Sequence, residues 1–253
     1  MNLLSCTANR KIKRLYDADE PESAQIYSAQ SIHGLPDPVK RYFTYALSNG
    51  QAYVKSLALK HGGRFRLGAD KPWMKIRGEQ HFTTGSPGFV WIGKTKMFNA
   101  HDAYIAGKGN LSVYLLGLIR IVRDEGEKID QGELLRWLGE SVWMPTNLLP
   151  DENTRWEAMD ASHARLIFTR NDIKVSYEVE FAADGRILSM ECMRYKGQGE
   201  LSRWTGRLAD YRKTKGMMVP HVIQGMWIEE DGSEFMYADF QITDMTHRFV
   251  NAD

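Results

Sequence analysis

Residues Ile173–Tyr195, IKVSYEVEFAADGRILSMECMRY, carry the clearest structural signal in the chain. In the first nine residues, apolar side chains alternate with Lys, Ser and Glu. This alternation is typical of a β-strand with one buried and one solvated face. Asp184-Gly185 is a favoured hairpin turn, and it leads into a second apolar segment, Arg186–Tyr195. The stretch therefore predicts an antiparallel hairpin.

The same period of two recurs on both sides of this hairpin, and it predicts about ten strands. Short turns join them, and no strand–helix alternation repeats along the chain, so the pattern favours an antiparallel meander over a parallel sheet. The other predicted strands are Tyr53–Leu67, Met74–Thr84, Phe89–Met97, Ala103–Lys108, Met217–Glu229 and Glu234–Thr246.

Two helices are predicted by a helical period. Pro38–Ser48 has an apolar face and Asp37 as a candidate N-cap. Gln131–Val142 follows Asp130, which together with Glu133 resembles a capping box. A looser helix is predicted around Ser23–Ser31. Residues 111–122, LSVYLLGLIRIV, are so uniformly apolar that strand and short helix both remain open.

Composition indicates an ordinary globular protein. The chain has 253 residues, 43% of them hydrophobic and 26% charged, with a net charge of +1, so no strong field favours nucleic acid. Cys6 and Cys192 do not indicate a disulfide framework. We expect a polar, partly helical segment over residues 1–34 and one domain over residues 35–253.

The N-terminus bears on localisation. No apolar run approaches the ~18–20 residues of a membrane-spanning helix. Leu3-Leu4-Ser5-Cys6 resembles the end of a bacterial lipoprotein signal, but no apolar region precedes it. As it stands, the sequence predicts a cytoplasmic protein. A cell-envelope location, and membrane association with it, is expected only if an upstream segment is missing.

Motifs for catalysis and cofactors are weak. His61, His81 and His101 are evenly spaced, but strands of unequal length rarely align such side chains, so no metal site is expected. No serine has a nucleophile-elbow setting, and the glycines form no phosphate-binding loop, so no cofactor is expected. Whether the protein is an enzyme stays open.

The segment Gly132–Pro150, GELLRWLGESVWMPTNLLP, is the most distinctive. Its helix places Glu133, Arg136 and Glu140 on neighbouring turns. These residues could form a polar cluster at a pocket mouth, with Glu140 as a general base. Alternatively, they could form a salt-bridge ladder on a solvated face, and the spacing favours this second interpretation.

Five blocks occur in fixed order: LPDPVKRYFTYAL, PGFVW, GELLRWLGESVWMPTNLLP, RWEAMD, and RWTGRLADY followed by Pro220. Together they resemble a bacterial family of uncharacterised proteins. The resemblance extends from Leu35 to the C-terminus and implies no activity or catalytic residue. Members of that family often have membrane segments ahead of the domain, and this sequence departs there. A more distant likeness at the level of the fold is to periplasmic lipoprotein-carrier (LolA-like) proteins.

These observations together predict an α+β fold: a large, curved, half-barrel-like antiparallel sheet with a few helices packed on its concave side. The favoured function is binding or carrying a hydrophobic or lipid-like ligand on that face. Arg136 would lie near the ligand head group. Expected ligand-binding residues are Trp91, Glu133, Arg136, Glu140, Trp143, Met144, Trp204 and Trp227.

Two alternatives remain. A hydrolase-like enzyme would use Glu133 and Glu140, and it would require Glu140 in a cleft with a raised pKa. An envelope-associated interaction protein would instead show a large exposed apolar patch.

Overall fold

The computed structural model describes residues 3–20 and 23–250. Its main feature is one open antiparallel sheet of thirteen strands, more than the ten or so that the sequence predicts. The strands are β1 Val54–Phe65, β2 Met74–Thr83, β3 Gly88–Lys94, β4 Phe98–Ile105, β5 Lys108–Leu115, β6 Ile119–Asp124, β7 Thr154–Ala158, β8 His163–Arg170, β9 Ile173–Phe181, β10 Ile187–Tyr195, β11 Leu201–Thr214, β12 Met217–Ile228 and β13 Glu234–Phe249.

The chain builds this sheet in two meanders that meet at its centre. It runs outward from β1 to β6 at one edge, then passes to β7 at the opposite edge and returns strand by strand to β13. β13 pairs antiparallel with β1, with Leu57 opposite His247. Because β6 and β7 are the two edges, the connection between them crosses a face of the sheet.

That connection contains α3 (Glu127–Glu140) and two short 3-10 helices, Ser141–Trp143 and Pro145–Leu148. It lies on the concave face together with α2 (Asp37–Ala46). The concave core cluster takes residues from both helices, such as Phe43 and Leu134, and inward-facing strand residues such as Phe82. The predicted α+β class and the curved antiparallel sheet are confirmed.

α1 (Leu3–Asp17) is the exception, because it packs on the convex face. Its Ala8 and Leu15 contact Val90, Ile92 and Ala103 in a separate small cluster. On β3, Val90 and Ile92 alternate with Phe89 and Trp91, which face the concave core. The helices therefore occupy both faces of the sheet. Among the described residues, no helix has both the length and the apolar character needed to span a membrane.

Several sequence-based boundaries are wrong. α3 begins at Glu127 after Gly126, and the proposed Asp130–Glu133 capping pair does not form. Asp130 instead accepts a hydrogen bond from the Gly109 amide at 2.7 Å. No helix covers residues 23–28, and a 3-10 turn lies at Ala29–Ile32. The undecided stretch 111–122 belongs to the β5–β6 hairpin.

Candidate ligand-binding cavity

A cavity of about 550 Å³ lies on the concave face, beside the C-terminal half of α3. Its wall comes from both meanders and is almost entirely apolar. Apolar residues lining it include Phe65, Ile76, Trp91, Val113, Ile223 and Phe240. The volume falls within the ~300–1,000 Å³ typical of small-molecule sites.

The exposure of the wall residues increases from the α3 end of the cavity towards the strand turns. Met190 and Trp91, near α3, are 2% and 8% exposed, whereas Leu67 and Ile121 are 63% and 50% exposed. Leu67 follows β1, and Ile121 lies in β6 close to the β5–β6 turn. The cavity therefore has a buried end at α3 and an open end at these strand turns.

Arg136 forms the centre of a charged cluster at the buried end. Its guanidinium donates to Asp102 Oδ2 at 2.5 Å and to Glu140 Oε1 at 3.0 Å. The same group lies 4.9 Å from the ring centroid of Phe89 and 5.0 Å from that of Trp91. Burial lowers the pKa of Arg136, but the two carboxylates outweigh burial and raise it. Arg136 therefore stays charged.

Both carboxylate oxygens of Glu140 accept a hydrogen bond. Gln80 Nε2 donates to its Oε2 at 2.6 Å, while Arg136 occupies its Oε1. Burial raises the pKa of Glu140, although the hydrogen bonds from Arg136 and Gln80 oppose this. The salt-bridge interpretation is correct about the Arg136–Glu140 pair. It is wrong about the solvated face, because both side chains are only 15% exposed.

Glu133 and Arg194 form a looser pair behind this cluster, with Glu133 Oε1 3.7 Å from the Arg194 guanidinium. Burial, followed by the negative charge of Asp102, raises the pKa of Glu133 to about 8. Within the described part of the chain, Glu133 Oε2 has no hydrogen-bond partner. Near neutral pH Glu133 is therefore mostly protonated, and the positive charge of Arg194 is left only weakly compensated.

Arg194 lines the cavity, with its guanidinium 6.0 Å from the Trp204 ring centroid. Among the described residues we find no hydrogen bond from Arg194. A guanidinium carries five N–H donors, so Arg194 can offer several of them to a polar group in the cavity.

Trp91 and His61 lie beside the charged cluster on the β1 side. Trp91 Nε1 donates to His61 Nε2 at 2.8 Å, and the His61 ring stacks on Phe240 at 4.4 Å. Burial lowers the pKa of His61 to about 4, so the ring is neutral and accepts this hydrogen bond. His81 and His101 lie on the other face, where His81 contacts Tyr16 of α1. In the described ranges no group of three or more His, Cys, Asp or Glu is placed to hold a metal ion.

The expected ligand-binding residues separate into two groups. Trp91, Arg136, Glu140 and Trp204 line the cavity. The other four do not line it: Glu133 lies behind the wall, Trp143 and Met144 are buried in the core, and Trp227 stacks on Tyr237.

Asp102 and Gln80 are not identified from the sequence alone. For Arg194 the sequence leaves two roles open, a cross-strand ion pair and contact with an anionic group. A signal for two of them was present. Asp102 lies two residues from both Ala100 and Tyr104, and Arg194 follows Met190 and Cys192 at intervals of two, so both charges lie on an inward-facing row. An ionisable residue on such a row marks a buried polar site.

Comparisons with known proteins place the chain in a family. A crystal structure of a LolA superfamily protein from Nitrosomonas europaea is similar with a TM-score of 0.46 and 15% identity, covering 88% of this chain and 94% of that one. No curated protein matches the chain. The model of a family of unknown function, DUF6544, matches residues 25–240, and the chain belongs to that family.

Proposed function

We propose that this protein binds a hydrophobic, lipid-like molecule in the concave-face cavity, with the polar head of the ligand at Arg194 and Arg136. The observation that carries the proposal is the shape of the site. An apolar cavity of about 550 Å³ is open at one end and closed by a buried charged cluster at the other.

This asymmetry suits an amphiphile with one apolar chain. The chain would replace water along the apolar wall at roughly 25 cal/mol per Å² of apolar surface buried. The head group would receive the spare N–H donors of Arg194. A carboxylate head suits that guanidinium best, because a charge-assisted bidentate pair is stronger than a neutral hydrogen bond.

The geometry favours binding over hydrolysis. A general base needs a free oxygen within hydrogen-bond reach of the reacting water. Both Glu140 oxygens already accept hydrogen bonds, from Arg136 and Gln80. Glu133 is 5% exposed and lies outside the cavity wall. Neither acid is therefore placed to activate a water molecule in the cavity.

A fluorescent long-chain fatty acid, cis-parinaric acid, provides the test. Ala100 lines the cavity, whereas Ala209 is an exposed residue on β11. Ala100→Phe occupies part of the cavity and should weaken binding by about tenfold or more. The ligand would lose apolar contact equivalent to about one or two buried methylene groups. The matched variant Ala209→Phe should bind like the wild type. Absence of saturable binding by the wild type, or equal loss in both variants, would contradict the proposal.

A competition assay tests whether Arg194 binds the head group of the ligand. A fatty acid and the fatty alcohol of equal length compete for the probe in wild type, in Arg194→Met and in Arg203→Met. Arg203 is exposed and pairs with Glu191. We expect a preference for the acid in wild type and Arg203→Met and its loss in Arg194→Met. An unchanged preference in Arg194→Met would move the head group elsewhere.

A further inference from the structure

Exposed apolar side chains concentrate at one end of the sheet. Leu116, Leu118 and Ile119 of the β5–β6 hairpin are 68%, 80% and 64% exposed. Met97, in the β3–β4 turn, is 52% exposed. A cluster of exposed apolar side chains marks a site of contact with a protein or a membrane.

The two turns form one tip. Because consecutive strands are antiparallel, the β3–β4 and β5–β6 turns lie at the same end of the sheet. The Leu116 amide donates to the Met97 carbonyl at 2.7 Å, which fixes one turn against the other. Leu67 and Ile121 lie at this end and line the open end of the cavity.

The charge of the tip has one sign. Residues 94–98 and 115–121, which form the tip, contain Lys94, Lys96 and Arg120 but no Asp or Glu. All three basic residues are exposed, and within the described ranges none forms an ion pair with a carboxylate. The whole chain carries a net charge of only +1, so these two turns are more basic than the chain as a whole.

We propose that this tip, formed by residues 94–98 and 115–121, docks on the surface of a lipid bilayer that contains anionic phospholipids. The leucine and isoleucine side chains enter the boundary between head groups and acyl chains, while the lysine and arginine side chains contact the lipid phosphates. The sequence alone predicts membrane association only through a missing upstream segment. This surface requires none.

The docked orientation places the open end of the cavity at the bilayer. An apolar chain could then move between membrane and cavity without crossing water. The docking proposal itself rests on the tip and not on what the cavity holds, so each can fail without the other.

A second copy of the chain is the competing occupant. β6 is an edge strand with a free ladder of N–H and C=O groups, and edge strands can pair with each other. Such pairing would cover Ile119 and Ile121. It would not account for the basic residues, because two copies would bring like charges together.

Vesicle flotation tests the proposal with the full chain. Wild type should float with vesicles of phosphatidylglycerol and phosphatidylcholine, and much less with phosphatidylcholine alone. Leu118→Asp should reduce binding to the anionic vesicles by about tenfold or more, since it removes a leucine that the bilayer would bury and adds a charge. Met159→Asp is the control, because Met159 is 43% exposed in the β7–β8 turn at the other edge of the sheet.

Charge-reversal variants measure the electrostatic contribution to vesicle binding. The double variant Lys96→Glu, Arg120→Glu should weaken binding by about tenfold or more, and added salt should weaken wild type in the same direction. Lys174→Glu with Lys213→Glu changes two exposed lysines on other strands and should have little effect.

Failure of wild type to bind anionic vesicles would overturn the proposal, as would unchanged binding of Leu118→Asp. Concentration-dependent dimerisation that Leu118→Asp abolishes, without vesicle binding, would assign the tip to a second copy. Leu118→Asp should retain cis-parinaric acid binding, which keeps this outcome distinct from failure of the cavity proposal.

Discussion

β1 passes through two regions of the concave face that differ sharply. In its first half, Leu57 and Leu59 are 0% and 2% exposed and belong to the packed core. In its second half, Phe65 lines the cavity and is only half-buried. Both halves present apolar side chains inward. The difference comes from the covering elements, because α2 and the 3-10 segments fill one region and leave the other open.

The packed region should be the more sensitive to truncation. Trp143 is 3% exposed, and its Nε1 donates to the Pro220 carbonyl at 3.0 Å. Trp143→Ala should lower the free energy of unfolding by about 4 kcal/mol, because it leaves a cavity and an unpaired carbonyl. Phe240→Ala, in the cavity wall, should cost about 1.5 kcal/mol, because its surroundings are already open. Denaturant titration measures both, and equal losses would contradict the distinction between the regions.

Sequence periodicity predicted the strands of both regions but not this distinction. Alternation in Ile173–Phe181 reports which face of a strand is buried, and β9 has the predicted bounds. It does not report whether a helix or a void lies against that face. Trp143 and Met144 were therefore expected in the binding site, although they fill the core.

Within the charged cluster, the two arginines should also differ. Arg136→Met leaves Asp102 and Glu140 buried beside each other without their cation, which should cost about 3 kcal/mol of stability. Arg194→Met should cost about 1 kcal/mol, because Glu133 can remain protonated. Thermal and urea unfolding at pH 6 would compare them, and a larger loss in Arg194→Met would contradict the charge assignment.

Glu133 should make the stability of the folded protein depend on pH. Its pKa is raised from 4.5 to about 8 by burial, so the folded state holds a proton that the unfolded state releases above pH 4.5. Stability is then full below about pH 4.5 and falls as the pH rises through about 8. Glu133→Gln should remove about 3 kcal/mol of this fall between pH 5 and pH 8.

Urea unfolding across that pH range measures the difference between wild type and Glu133→Gln. Glu157→Gln is the matched control, because Glu157 is exposed and pairs with Arg155. Parallel pH profiles for wild type and Glu133→Gln would show that Glu133 is ionised in the folded protein.

The smallest effect on stability should come from filling the cavity. Ala100→Phe places a larger side chain in open space and should change the free energy of unfolding by less than about 1 kcal/mol. A loss as large as that of Trp143→Ala would mean that Ala100 faces a packed core.

The charged cluster was predictable only in part. The spacing of Glu133, Arg136 and Glu140 along a helix follows from sequence, but their burial depends on where the β6–β7 connection crosses the sheet. Asp102 and Gln80 come from the first meander, and Arg194 comes from the second. Within the sheet the pairing of β1 with β13 joins those meanders, and no local pattern encodes that pairing.

Native mass spectrometry of the purified protein, followed by organic extraction, shows whether the cavity holds an amphiphile. We expect a bound amphiphile with an apolar chain in the wild type and less of it in Ala100→Phe, with Ala209→Phe retaining it. A wild-type protein that carries no ligand and gains no mass when long-chain fatty acid or lysophospholipid is added would contradict lipid-like binding in the cavity.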